Sequence, residues 1–133
     1  MLRRTFLALT AAATLLAPGI ASAAEMVEYK PGVIETALED GKTVLVDYSA
    51  KWCGTCKRQG RVISELRAEN PDYDAKMMFV KVDWDTYKEH EVAQFRNVPR
   101  RSTLLVLRGE DELGRIIAGT GKSEIKELMD KGL

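Results

Sequence analysis

The sequence predicts an α/β protein built on one mixed sheet of about four to five strands, with helices on both faces. Three observations point there. Strand-length apolar runs alternate with helix-length amphipathic runs, and a hairpin and a last helix close the chain. The only two cysteines, Cys53 and Cys56, stand two residues apart where one such strand meets one such helix. Residues 24–133, 110 in all, suffice for one domain with a real core.

Residues 1–23 stand apart from that domain. Arg3 and Arg4 make a charged start, Phe6 to Ala17 is a short apolar run, and Pro18-Gly19 breaks it. Ala21-Ser22-Ala23 then fits the small-residue pattern of a cleavage site. The run is well short of the roughly 20 residues that cross a bilayer. The expectation is an export signal over 1–23, cleavage before Ala24, and a periplasmic domain over 24–133. Arg3-Arg4-Thr5-Phe6-Leu7 partly resembles a twin-arginine signal. Leu2 before the pair, and no Lys after Leu7, leave the ordinary secretory route equally open.

Charge excludes one class of partner. The chain carries 20 basic and 20 acidic residues; without Arg3 and Arg4, 18 face 20, a net charge of −2. No basic surplus marks a nucleic-acid partner. There is no internal repeat, low-complexity tract or linker.

The elements follow in order. Val27 to Tyr29 reads as a short first strand. Pro31 to Asp40 reads as a helix, with Val33, Ile34, Ala37 and Leu38 on one face and Gly41 closing it. Val44 to Ser49 is a buried central strand. Cys56 to Asn70 is the long helix, with Ile63 and Leu66 inward, Lys57, Arg58, Glu65 and Glu69 outward, and Pro71 past its end. Met77 to Val82 is a second apolar strand and Thr86 to Arg96 a third helix. Thr103 to Leu107 and Leu113 to Ile117 form a hairpin about Gly109-Glu110-Asp111. Lys122 to Lys131 is the final helix, with Ile125, Leu128 and Met129 inside.

The stretch from Asp47 to Lys57 carries the chemistry. A strand delivers Cys53 to a turn and a helix starts there, where free backbone N–H groups and the helix dipole favour a thiolate. Only a thiolate attacks a disulfide, so Cys53 is the candidate nucleophile. Cys56, about one turn on, is the candidate resolving thiol and is close enough to close a small ring. A structural staple is the plain alternative, but so short a loop removes little unfolded-state entropy. Asp47 lies within the apolar strand, where burial should raise its pKa, and a carboxyl group of that kind beside a thiol suits a general base. The lone histidine, His90, lies in the charged run Lys88-Glu89-His90-Glu91 and reads as solvated. Met77, Met78 and Trp84 read as core or rim. No metal site is expected from one His and two thiols.

Trp52-Cys53-Gly54-Thr55-Cys56-Lys57 after an apolar strand containing Asp47 resembles the thioredoxin family, and the likeness runs from about residue 30 to the end. The resemblance implies the thioredoxin fold. It implies redox cycling of Cys53 and Cys56 with no cofactor beyond that disulfide, and proton transfer between Cys56 and Asp47. It matches Lys81 to a family lysine near the buried Asp, against the plainer reading of a lysine reaching solvent from a strand end. It gives Trp52 a role in shielding the thiols and contacting substrate.

Three positions depart from the family pattern. Ser49 stands where thioredoxins proper carry another Trp, and Arg61 where they carry Pro; both departures suggest an exported relative. Ser102 stands where the family has a cis-proline directly before Thr103, with Pro99 three residues earlier. On that alignment the loop Arg100-Arg101-Ser102-Thr103 faces Cys53 and contacts substrate, with a trans bond favoured before Ser102 on energetic grounds. The arginines either add to a basic rim with Lys51, Lys57 and Arg58 or simply extend into solvent.

The expected function is an exported thiol–disulfide oxidoreductase that reduces protein disulfides. Its partners would be client proteins with thiols or disulfides and an external electron donor or acceptor, a membrane redox protein being one candidate. The alternatives are a disulfide donor or isomerase, a metal-binding module, and a redox-inert binding module.

Overall fold

The computed structural model describes residues 25–133. The expected export signal over 1–23 lies outside the described residues. Five strands form one sheet: β1 (Val27–Glu28), β2 (Thr43–Ser49), β3 (Met77–Asp83), β4 (Thr103–Arg108) and β5 (Asp111–Ile117), in the order β1-β3-β2-β4-β5. β1 and β2 both run parallel to β3, while β4 pairs antiparallel with β2 and β5 antiparallel with β4. The sheet is mixed, as the run of elements predicts.

Side-chain alternation along the strands splits the core into two layers. Val44, Val46 and Tyr48 of β2 join Val80 and Val82 of β3 and Leu105 and Leu107 of β4 on one face. There they meet Ile34 and Ala37 of α1 (Val33–Glu39) and Val92 and Ala93 of α5 (Glu91–Gln94). Leu45, Phe79, Leu104 and Val106 take the other face, under Ile63 and Leu66 of α2 (Gly54–Glu69) and Ile125, Leu128 and Met129 of α6 (Lys122–Asp130). Each Val, Leu, Ile, Phe or Met among them contributes roughly 1.5–3 kcal/mol over leaving it exposed. Asp47 shares parity with Leu45, so the same alternation turns its carboxyl group toward α2.

Two regions differ from the sequence expectation. A short helix, α3 (Asp72–Lys76), follows Pro71 and sinks Tyr73 into the core, where its hydroxyl donates to the Asp130 carboxylate. Nothing local announces that contact, because its partner lies in α6. The single helix expected over Thr86 to Arg96 is two: α4 (Trp84–Tyr87) and α5. His90 breaks it. Its backbone is extended (φ −80°, ψ 156°), and its Nδ1 accepts the Val92 N–H at 3.1 Å, capping α5. His90 is half-buried beside the rings of Tyr29 and Tyr87, not solvated on a charged face as expected.

That cap is measurable. His90→Ala should lower the unfolding free energy by about 1 kcal/mol in urea denaturation, and His90→Asn should retain most of it, since Asn caps equally well.

Candidate active site

β2 ends at Ser49, and the chain turns through Ala50-Lys51-Trp52 to Cys53. The Cys53 N–H donates to the Ala50 carbonyl at 3.1 Å, which tightens the turn. Cys53 is the N-cap of α2: its backbone is extended, and its Sγ accepts the Cys56 N–H at 3.2 Å. The sulfur therefore takes the place a Ser or Asp oxygen usually holds at a helix start. A negative charge on that sulfur meets a backbone N–H and the positive end of a 16-residue helix.

Cys53 and Cys56 are joined in a disulfide, with Cα atoms 5.3 Å apart. Both are buried, Cys53 at 4% exposure and Cys56 at 2%. Ala50 lies beside them, and the Trp84 ring packs against the cluster. Trp52, to which the resemblance gives shielding of the thiols and contact with substrate, is 59% exposed. Its Nε1–H donates to Asp85 at 2.8 Å, and the Arg101 guanidinium sits 4.3 Å from its ring centroid. Arg101 is thus stacked on the site's rim, while Arg100 is exposed, its Nε–H donating to the Arg101 carbonyl at 3.2 Å.

Asp47 lies below the pair. It is fully buried, and its Oδ1 has no hydrogen-bond partner among the described residues. Burial pushes its pKa up to about 7, while Lys81, its register neighbour in β3, holds back part of the rise. Asp47, Cys56 and Lys81 line one open cleft of about 880 Å3, with Lys51 and Lys57 at its walls.

The loop before β4 closes the site from the other side. Ser102 is wholly buried, and its Oγ lies 3.2 Å from Cys53 Sγ and 3.0 Å from Cys56 Sγ. Its φ is +66°, and there is no cis peptide bond among the described residues. Thr103 opens β4, its hydroxyl donating to the Arg100 carbonyl at 2.8 Å.

One residue at the site escapes the sequence reading. Gln59 is wholly buried; its Nε2 donates to the carbonyls of Ser102, at 3.0 Å, and Gly119, at 2.9 Å. A signal for it exists. Cys56, Gln59, Ile63 and Leu66 form one helical stripe, and a Gln on such a stripe has to find partners inside. Arg67 continues the stripe: it pairs with Asp74 at 2.6 Å and lies 4.2 Å over the Phe79 ring. No grouping of three or more His, Cys, Asp or Glu suited to a metal ion occurs among the described residues.

A cysteine pair with its first sulfur capping a helix, packed on a sheet of this order, defines the class: a protein-disulfide oxidoreductase of thioredoxin fold. The family model for thioredoxin matches residues 25–131, and the chain belongs to that family. It is similar to the solved structure of Trxlp from Edwardsiella tarda, at 35% identity and a TM-score of 0.68 over 77% of this chain and 97% of that one. Thioredoxin of Schistosoma mansoni is 28% identical, with a TM-score of 0.65 over 85% and 100%. Thioredoxin H2-1 of rice is 36% identical over 89 residues, which is 67% of this chain and 59% of that protein. Thioredoxin of Echinococcus granulosus is 31% identical over 96 residues, 72% of this chain and 83% of its own.

The buried Asp47 makes stability depend on pH. Its folded pKa, about 7, lies above the unfolded value of roughly 3.9, so the folded chain holds the proton more tightly. Stability is therefore greatest below about pH 4 as far as this group is concerned, and it falls as pH rises to about 7. The full difference is on the order of 4 kcal/mol. Asp47→Asn should raise the unfolding free energy at pH 8 by a few kcal/mol and change it little at pH 4, measured by guanidinium denaturation at both pH values.

Proposed function

We propose that this chain is an exported reductase of protein disulfides. The observation that carries the reductase reading is the buried Asp47, titrating near neutrality in the same cleft as Cys56. A resolving thiol must lose a proton at neutral pH, and a base of matched pKa accepts it best.

The reduced chain begins with Cys53 as thiolate and Cys56 as thiol. Cys53 Sγ attacks one sulfur of a client disulfide; an S–S bond forms between protein and client, and the other client sulfur leaves as thiolate. Cys56 passes its proton to Asp47, directly or through water in the cleft, and attacks Cys53 Sγ. The Cys53–client bond breaks, its electron pair leaves on the client sulfur, and the Cys53–Cys56 disulfide forms. Two electrons have moved from this chain to the client. An external dithiol, held by a membrane redox protein or a soluble donor, has to return them.

Clients dock on the rim formed by Trp52, Arg100, Arg101, Ser102 and Thr103. The two arginines, with Lys51, Lys57 and Arg58 across the site, favour acidic client segments and speed their capture in a salt-dependent way. Export is supported by Arg3-Arg4, the apolar run Phe6 to Ala17 and Ala21-Ser22-Ala23.

The trapping experiment decides the roles of the sulfurs. Cys56→Ser should accumulate mixed disulfides with clients, because resolution is blocked, and Cys53→Ser should accumulate none; equal trapping by both sinks the assignment. In stopped flow, Asp47→Asn should slow resolution by roughly 10- to 100-fold near neutral pH, within or below the usual range for a general base. An unchanged rate refutes the proton transfer. For export, intact mass of the chain recovered from a bacterial periplasm should start at Ala24; full-length chain retained in the cytoplasm speaks against it.

A further inference from the structure

Ser102 sits against both sulfurs in a conformation that serine rarely adopts. The left-handed region disfavours a residue with a Cβ, and such strain persists only where the surroundings over-determine it. Here they do. The Ser102 N–H donates to the Tyr48 carbonyl at 2.7 Å, and its own carbonyl accepts from the Ala118 N–H at 2.8 Å and from Gln59 Nε2 at 3.0 Å. Gln59 is a costly way to hold a loop. Its Oε1 is buried without a partner among the described residues, where an apolar side chain on the same helical stripe would avoid that cost. What Gln59 achieves is to fix the Ser102 backbone from the helix that carries Cys56.

The result is a hydroxyl within hydrogen-bond reach of two sulfurs, 3.2 Å from one and 3.0 Å from the other. A hydroxyl has one proton to donate and lone pairs to accept with. In the reduced protein it can donate to the Cys53 thiolate while accepting the Cys56 S–H. After Cys56 surrenders its proton, the same O–H can turn to the Cys56 thiolate without backbone movement.

We propose that the Ser102 hydroxyl is a catalytic residue of the exchange reaction, holding the Cys53 thiolate in the reduced protein and the Cys56 thiolate during resolution, and that Gln59 is the positioning residue that keeps it there. This rests on the reading of Cys53 as the attacking thiol. Hydrogen bonds to a charged acceptor are stronger than those to a neutral one, so Ser102 favours a thiolate over a disulfide sulfur. It therefore stabilises the reduced state and moves the Cys53–Cys56 couple toward the oxidising end of the family's range. Other charges act on the same pair: Asp47 from β2, Lys51 from the turn, Lys57 from α2, Lys81 from β3, and Asp85 and Arg101 through Trp52. The variants below leave all six in place.

The test uses the purified chain with Ser102→Gly, Ser102→Ala and Gln59→Leu. Glycine accepts a φ of +66°, so Ser102→Gly removes the hydroxyl without adding strain. Both Ser102 variants should raise the Cys53 pKa by about one unit, read from ultraviolet thiolate absorbance and from the pH profile of alkylation by iodoacetamide. At a pH below that pKa, alkylation should slow about tenfold. The couple should become more reducing by about 30 mV, the equivalent of a tenfold change for two electrons. Gln59→Leu should shift pKa and potential in the same direction by a smaller factor, with unfolding free energy unchanged or raised, which a merely structural residue would not do. A folded Ser102→Gly protein with wild-type pKa and potential overturns the proposal. If Ser102→Gly does not fold, unchanged pKa and potential in Gln59→Leu overturn it. Failure of the underlying reading looks different: Cys56→Ser and Cys53→Ser then trap clients equally, whichever way the Ser102 variants behave.

Discussion

Asp47 brings a carboxyl group into the layer between the sheet and α2, and much of the site answers to that one cost. An isolated carboxylate in such a place is expensive, so the group holds its proton up to about neutral pH. Two features keep the cost bearable. Lys81 stands beside Asp47 in register across parallel strands, and the cleft along α2 lets solvent approach.

On the other side of the sulfurs, a loop is held by more bonds than its length requires. Tyr48 of β2, Ala118 past the end of β5 and Gln59 of α2 all converge on Ser102. Three elements distant in sequence thus fix one residue against the disulfide. In thioredoxins a cis-proline shapes this surface; here a trans serine does, and the shape comes from hydrogen bonds, not from a ring. The exchange brings a donor to the sulfurs. Around the rim, Trp52 is held by Asp85 at its Nε1 edge and by Arg101 over its ring face, so the exposed indole is presented in a defined orientation.

Elements with strong local signals are legible in the sequence. The central strand Thr43–Ser49, the long helix, the terminal hairpin and the last helix lie within two residues of their expected bounds; the largest shifts are in β5, which starts at Asp111, and α2, which starts at Gly54. That last shift has a simple cause: the Cys53 sulfur caps the helix, so helical backbone begins at once. Structure and expectation differ where a partner is remote. α3 depends on Tyr73 reaching Asp130, and the break at His90 depends on a ring nitrogen preferring the Val92 N–H to solvent. Propensity over a short window carries neither contact.

The sequence by itself determined the class of fold and the redox pair. Both are local: period-2 and helical patterns mark the layers, and two cysteines at a strand–helix junction mark the chemistry. It also singled out Asp47, since an acid inside an apolar strand is conspicuous without any partner. The family resemblance placed Ser102 opposite Cys53, but only the tertiary structure decided which bonds surround the sulfurs. Gln59 and Ser102 lie 43 positions apart, Trp52 and Asp85 lie 33 apart, and Ser102 and Cys53 lie 49 apart. Hydrogen bonds require approach within a few tenths of an ångström. That precision is set by how strands and helices pack, which no pattern of residue types along the chain specifies.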